Sequence, residues 1–157
     1  MNFFISLVNN KALMTAVISW ATAQIVKTLI DLAINRKLDL ERLVGSGGMP
    51  SCHSATVCGF ATICAIEYGA ESFQFAIAAI LAIIVMYDAR GVRRETGNQA
   101  EVLNQIMEWF NDPTNPDKQI EFTQDKLKEL VGHTPLQVFF GALLGIIVAV
   151  IISYVLA

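Results

Sequence analysis

Apolar residues fill four stretches of this chain, and polar residues gather between them. The stretches cover 13–34, 50–68, 73–87 and 134–156. Each is too long for an ordinary strand and predicts a helix. The two middle stretches are short against the ~20 residues that span a bilayer. Between them lie a polar loop over 35–49 that ends in glycines and a tight connection over 69–72. The segment 87–100 is dense in charge. Residues 101–110 carry Val102, Leu103, Ile106 and Phe110 on one side and predict an amphipathic helix. A loop with two prolines follows over 111–118, then a short helical turn over 126–130. No internal repeat or low-complexity tract interrupts the pattern.

Polar residues inside the apolar stretches are the informative exceptions. Gln24, Lys27 and Asp31 recur at intervals of three and four and so share one helical face. Ionisable groups in a membrane helix are costly and face a bundle interior or a wet cavity. Near a helix end they can instead snorkel to the interface. Two helix starts stand out as well. Pro50 is expected near the first turn of the second helix, where its missing N–H costs nothing. Thr134-Pro135-Leu136-Gln137 reads as a capping box with proline at the first helical position.

Composition then fixes the class. Hydrophobic residues make up 54% of the 157 and charged residues 16%, and the mean hydropathy is +0.52. Soluble domains average about a quarter charged. The expected fold is all-α: one domain over 1–157, an integral membrane helical bundle of about four transmembrane helices. The net charge of −3 says little, because the charges cluster. Four spans would put Lys27, Arg36, Lys37, Arg42, Arg90, Arg93, Arg94, Lys118, Lys126 and Lys128 on one side, with Lys11 towards the other. The positive-inside rule makes that side cytoplasmic, with both termini outside, most naturally in a bacterial cell membrane. No basic n-region precedes the first stretch, so no removable signal peptide is expected. Cys58 and Cys64 read as small core residues, and the three cysteines have no metal-ligand spacing. No metal or cofactor is required, and no nucleic-acid partner is expected. A homo-oligomer is left open.

The candidate chemistry lies in two glycine-proline turns that carry the only two histidines, His53 and His133, each followed by an apolar helix. A helix N-terminus favours anions through its N–H groups and the positive end of its macrodipole. Both turns fall on the same membrane face in the expected topology. Gly47 and Gly48 allow close backbone approach, and Ser51 offers a hydroxyl. Lys27 and the arginines at 90, 93 and 94 offer countercharge for a phosphate. Two histidines flanking one phosphate permit a double-displacement hydrolysis. Each part also has an ordinary reading: a helix cap, a helix-end histidine, a topology anchor, or Asp88 pairing with Arg90 or Arg94.

The runs 47–55 (Gly-Gly-Met-Pro-Ser-Cys-His-Ser-Ala), 85–94 (Val-Met-Tyr-Asp-Ala-Arg-Gly-Val-Arg-Arg) and 132–138 (Gly-His-Thr-Pro-Leu-Gln-Val) resemble the divergent PAP2 family. That branch is related to acid phosphatases and vanadium-dependent haloperoxidases, and the likeness runs from 20 to the last helix. The resemblance implies a PAP2-like helical core and metal-independent hydrolysis of a lipid phosphate or diphosphate. The substrate would be of the phosphatidylglycerophosphate, phosphatidate or polyprenyl diphosphate class. It implies His133 as the nucleophile that becomes phosphorylated and His53 as the general acid. Ser51, Gly48 and the amides around them would hold phosphate oxygens, and Lys27 would stand for the lysine of the first motif. Arg90, Arg93, Arg94 and Lys128 would add phosphate-binding charge.

Several positions depart from the wider superfamily pattern. Cys52 replaces the glycine of the second motif, and no Arg-Pro follows Lys27; Arg36 and Arg42 are the arginines available there. Leu127, between Lys126 and Lys128, replaces the arginine of the third motif. Gln137 stands where an aspartate would orient the nucleophile. Glutamine accepts a hydrogen bond from imidazole but brings no full charge to an imidazolium. Either Asp88 supplies the missing acid, or the chain is a weak or inactive relative that binds or transports a phosphorylated lipid or anion.

Overall fold

The computed structural model describes residues 2–36, 48–111, 127 and 132–155. Among them are six helices and no strand: α1 (Phe3–Val8), α2 (Lys11–Asn35), α3 (Cys52–Tyr68), α4 (Phe73–Arg90), α5 (Val92–Asn111) and α6 (Pro135–Val155). Helix α3 is the centre of the bundle and packs against α2, α4 and α6. Three helical stretches are long and apolar enough to cross a membrane: Lys11–Asn35, Phe73–Asn111 through its α4 part, and Pro135–Val155. The fourth expected span, α3, has 17 residues and is shorter than these.

Local sequence explains where the helices begin. Asn10, Ser51 and Ser72 are N-caps whose side chains accept from the N–H groups of Leu13, Ser54 and Phe75. The second helix, expected from Pro50, begins at Cys52, and Pro50 lies one residue before its cap; Ser51 takes the cap because its hydroxyl reaches the Ser54 N–H. The expected amphipathic helix over 101–110 is longer than its apolar pattern. It begins at Val92, directly after the Gly91 that ends α4. Its first turns carry polar residues around most of their circumference, so periodicity could not reveal them. The short turn expected over 126–130 lies outside the described residues, except for Leu127.

The bundle is built inside-out relative to a soluble protein. Its core is small: Ala12, Ala23, Ala55, Cys58, Cys64, Ala78, Ala82 and Ala149 are all buried. Large side chains such as Ile25, Leu29, Ile80, Ile83, Phe139 and Ile151 point outward. Lipid provides no hydrophobic drive between helices, so close packing of small residues takes its place. The approach is tightest between α3 and α6. A methyl group added at Gly145 would fall on the Ala55 carbonyl oxygen and within 2.8 Å of the Gly59 nitrogen. One added at Gly141 would fall on the Ser51 carbonyl oxygen. At Gly59 the seam meets α2 as well: an added methyl would strike the Ser19 hydroxyl of α2 and come within 3.2 Å of the Gly145 carbonyl oxygen of α6.

This packing sets the ends of the bundle. At one end, Lys11 at the start of α2 pairs with Glu67 at the end of α3 (3.2 Å). At the other end, the last third of α2, the start of α3, the end of α4 and the start of α6 converge. Backbone hydrogen bonds join them: the Ser51 N–H donates to the Gln137 carbonyl (3.0 Å), and the His133 N–H donates to the Ala89 carbonyl (3.1 Å).

Candidate active site

The convergent end brings the two histidines into contact. Their ring centroids are 5.8 Å apart with an interplanar angle of 63°, an edge-to-face arrangement. His133 is 1% exposed, while His53, in the first turn of α3, is half-buried and is the ring of the pair that meets solvent. Rings in contact leave no room for a phosphate directly between them. A phosphate that meets both must approach from the side, or displace the His53 ring first.

The capping box of α6 fixes His133. The Thr134 N–H donates to Gln137 Oε1 (3.0 Å), and the Gln137 N–H donates to Thr134 Oγ1 (3.3 Å). Gln137 Oε1 also lies 3.2 Å from His133 Nδ1. A backbone N–H can only donate, so it fixes the amide orientation and presents the oxygen to the imidazole as well. Nδ1 is then the proton-bearing nitrogen, and in the neutral ring Nε2 carries the lone pair. The two readings of Gln137, helix cap and partner of His133, describe one oxygen atom serving both.

The second turn is held equally tightly. Ser51 is fully buried, and its Oγ accepts from the Ser54 N–H (3.3 Å) and the Ser54 hydroxyl (3.1 Å). Its oxygen is thus committed to the cap, which leaves its proton as the group it can offer a ligand. Cys52 Sγ lies 3.9 Å from His53 Nδ1. Lys27 is 3% exposed. Its stem lies along Gly48, where an added methyl would come within 3.0 Å of Lys27 Cδ; the φ of +96° at Gly48 also favours glycine. Lys27 is therefore inside the bundle end and does not snorkel. It continues the buried face formed by Thr15, Ser19 and Ala23.

The other expected residues are placed less closely. Asp88 is half-buried, one residue before the Ala89 carbonyl that receives the His133 N–H. Arg90 is in the last turn of α4 and exposed. Arg93 and Arg94 fall in the first turn of α5, their side chains outside the described residues, as are Gly47 and Lys128 altogether. Two placements escaped the sequence reading. Ala89 acts through its carbonyl, which no sequence pattern marks. Asn104 of α5 hydrogen-bonds to the backbone of Leu127; its one sequence signal is an amide on the same helical face as Gly97 and Ala100.

Two helix N-termini, a buried lysine and a tautomer-fixed histidine beside a second histidine thus share one end of a membrane bundle. A family model described as the divergent PAP2 family matches residues 8–148. The chain belongs to that family. The divergent PAP2 protein is also 42% identical over 153 residues to YuiD, an uncharacterized membrane protein of Bacillus subtilis (strain 168). That match covers 94% of this chain and 97% of the relative. No solved structure matches. The divergent PAP2 protein is a helical membrane protein, and its family points to phosphatase chemistry in general.

Proposed function

We propose that this protein is a membrane-embedded phosphatase that hydrolyses a phosphomonoester or diphosphate on a lipid, through a phosphohistidine on His133. The observation that carries the reading is the contact between Gln137 Oε1 and His133 Nδ1 beside the His53 ring. A nucleophilic imidazole needs one nitrogen held by an acceptor and the other left with its lone pair. In this mechanism Nε2 of His133 attacks phosphorus, and the phosphorus–oxygen bond to the lipid breaks. Protonated His53 gives its proton to the departing oxygen. Water then attacks phosphorus while neutral His53 takes a proton from it; the bond from phosphorus to Nε2 breaks, phosphate leaves, and both rings return to their starting states.

Depth in the membrane supports a lipid substrate. Rising about 1.5 Å per residue, the 21 residues of α6 span ~31 Å, close to the ~30 Å hydrocarbon core. His133, two residues before α6, then lies at headgroup level, where a lipid presents its phosphate. The excess of Lys and Arg on that side in the expected topology favours a cytoplasm-facing site. Lys27, the backbone around Gly48, the Ser51 proton, Arg90, Arg93, Arg94 and Lys128 are the proposed phosphate-binding groups, with Asp88 a nearby carboxylate.

The test is phosphate release by purified protein from phosphatidylglycerophosphate, phosphatidate and polyprenyl diphosphate in micelles. It is combined with an alkaline quench to trap labelled phosphohistidine. Release from one class, with label lost in His133→Asn, is expected; no release from any class removes the hydrolytic reading. A second reading, binding or transport of a phosphorylated lipid without turnover, draws on two observations. Gln137 brings no negative charge to His133, and His133 is buried. Tight lipid binding without release would favour it.

A further inference from the structure

We propose that α5 lies on the membrane surface, with Val102, Leu103, Ile106 and Trp109 set into the headgroup–acyl boundary of the bilayer that the bundle spans. The face that α5 buries is not its apolar one. Gly97, Ala100 and Asn104 are buried, and at intervals of three and four they share one small, polar face. The large apolar side chains stand elsewhere: Val102, Leu103, Ile106 and Trp109 are each 44–54% exposed. Glu101 is exposed too, and it falls ~160° round the helix from Leu103. The helix thus keeps an apolar strip turned away both from the face it buries and from this carboxylate.

Continuity with a span says what covers the strip. Helix α4 has 18 residues, ~27 Å long at the usual rise and close to the ~30 Å hydrocarbon core. Its last turn carries the exposed Arg90, and Gly91 alone separates it from α5. Helix α5 therefore starts at headgroup depth. Gly91 has φ −94° and ψ −87°, outside the helical region, so α5 is not bound to the direction of α4. The sorting of side chains points the same way. Helix α4 buries Ala78, Ala82 and Ala89 and exposes Ile77, Ile80, Ile83 and Ile84. Helix α5 repeats that sorting, small residues inside and large apolar ones outside, which is how a helix packs when its outer face meets lipid. Position along the strip sets the depth. Glu95 and Gln99 hold this side in the first two turns, and the apolar run begins only at Val102. It reaches Trp109, a residue type that collects at the membrane interface. An amphipathic helix of this kind sinks its apolar face ~5–10 Å below the headgroups and keeps its charges in water.

Hydrolysis plays no part in the test. The chain has two tryptophans, Trp20 in α2 and Trp109. Full-length Trp20→Phe in phosphatidylcholine vesicles leaves Trp109 as the reporter, and Trp20→Tyr serves if that variant fails to fold. Lipid brominated near the glycerol end of its chains should remove at least about half of the Trp109 emission, as expected at the depth of an interfacial helix. Lipid brominated at the chain ends should remove less, and acrylamide on both sides of the membrane should quench little. With Trp20→Phe and Trp109→Phe combined, Ile106→Trp should respond as Trp109 does, whereas Glu101→Trp should be quenched by acrylamide and not by bromine. Quenching of Trp109 by acrylamide alone would mean that the strip faces water. Protection from both quenchers would mean that a second copy or another protein covers it. Strongest quenching from the chain ends would make this part of α5 a continuation of the span. Each of these results overturns the proposal, as does equal behaviour of the reporters at 101 and 106.

Discussion

Gln137 Oε1 lies 3.0 Å from the Thr134 nitrogen and 3.2 Å from His133 Nδ1, so one oxygen caps a helix and holds a histidine. Gln137→Glu keeps both contacts and adds a negative charge. The carboxylate favours the imidazolium, so the pKa of His133 rises. The acid limb of the rate profile should then move to higher pH, because His133 stays protonated further up the scale. Above that limb turnover should rise, since the developing positive charge on the ring is stabilised. Gln137→Leu should lower turnover and cost about 1 kcal/mol of stability through the lost cap. A pH–rate profile and a denaturation curve for both variants check this; a Glu variant with the wild-type profile would mean that residue 137 does not hold His133.

His53 is the half-buried partner, and its proposed role is proton donation. In the phosphohistidine-forming half-reaction, read in a single turnover, His53→Ala should lose little rate on aryl phosphates, whose leaving groups need no proton, and about 10²- to 10⁴-fold on lipid phosphates. His133→Ala should abolish both. Comparing the three proteins on the two substrate types decides it, and equal losses for His53→Ala on both would remove the general-acid assignment.

Lys27 is the buried lysine among the proposed phosphate-binding groups. Lys27→Met keeps the stem that packs along Gly48 while removing the charge, so the fold should survive. KM should rise at least about tenfold, the value of one charge-assisted hydrogen bond to phosphate. Gly48→Ala should act in the same direction, because its methyl meets Lys27 Cδ and its φ of +96° strains alanine. Michaelis kinetics on both variants read the effect; an unchanged KM in Lys27→Met would take Lys27 out of the phosphate site.

Gly145 lets α6 touch α3 backbone to backbone. Gly145→Ala should destabilise the bundle by about 1–3 kcal/mol through overpacking and should disturb the His53–His133 contact. Lys11→Ala at the opposite end removes only an exposed ion pair, so it should cost under about 1 kcal/mol and leave turnover unchanged. Unfolding in graded denaturant, with imidazole NMR spectra as a second readout, separates the two. Equal effects would mean that helix contact does not set the histidine spacing.

Apolar length made the bundle legible in sequence: 13–34 became Lys11–Asn35, and 134–156 became Pro135–Val155. Lys27 was legible as an outlier because ionisable groups have few reasons to sit in a span. The capping box was legible because its residue types and spacing are local. Helix α1 and the first turns of α5 were not, since short or polar helices leave no apolar stripe. The sharing of Gln137 Oε1 between two donors, the bond to the Ala89 carbonyl and the Asn104–Leu127 hydrogen bonds depend on three-dimensional placement of backbone atoms. Sequence identity does not encode a carbonyl's neighbour, and those contacts appear only once the helices are packed.

The glycine seam between α3 and α6 also sets an order of events during synthesis. Helix α3 is central and only 17 residues long, and its Ser51–Ala55–Gly59 ridge is shaped to receive the backbone of α6. Helix α6 emerges from the ribosome after all the others described. Until it arrives, that ridge has no α6 to cover it, and His133 has neither its cap nor its contact with the His53 ring. The histidine pair is therefore assembled only when α6 docks on α3, as the last of the described helices to be made.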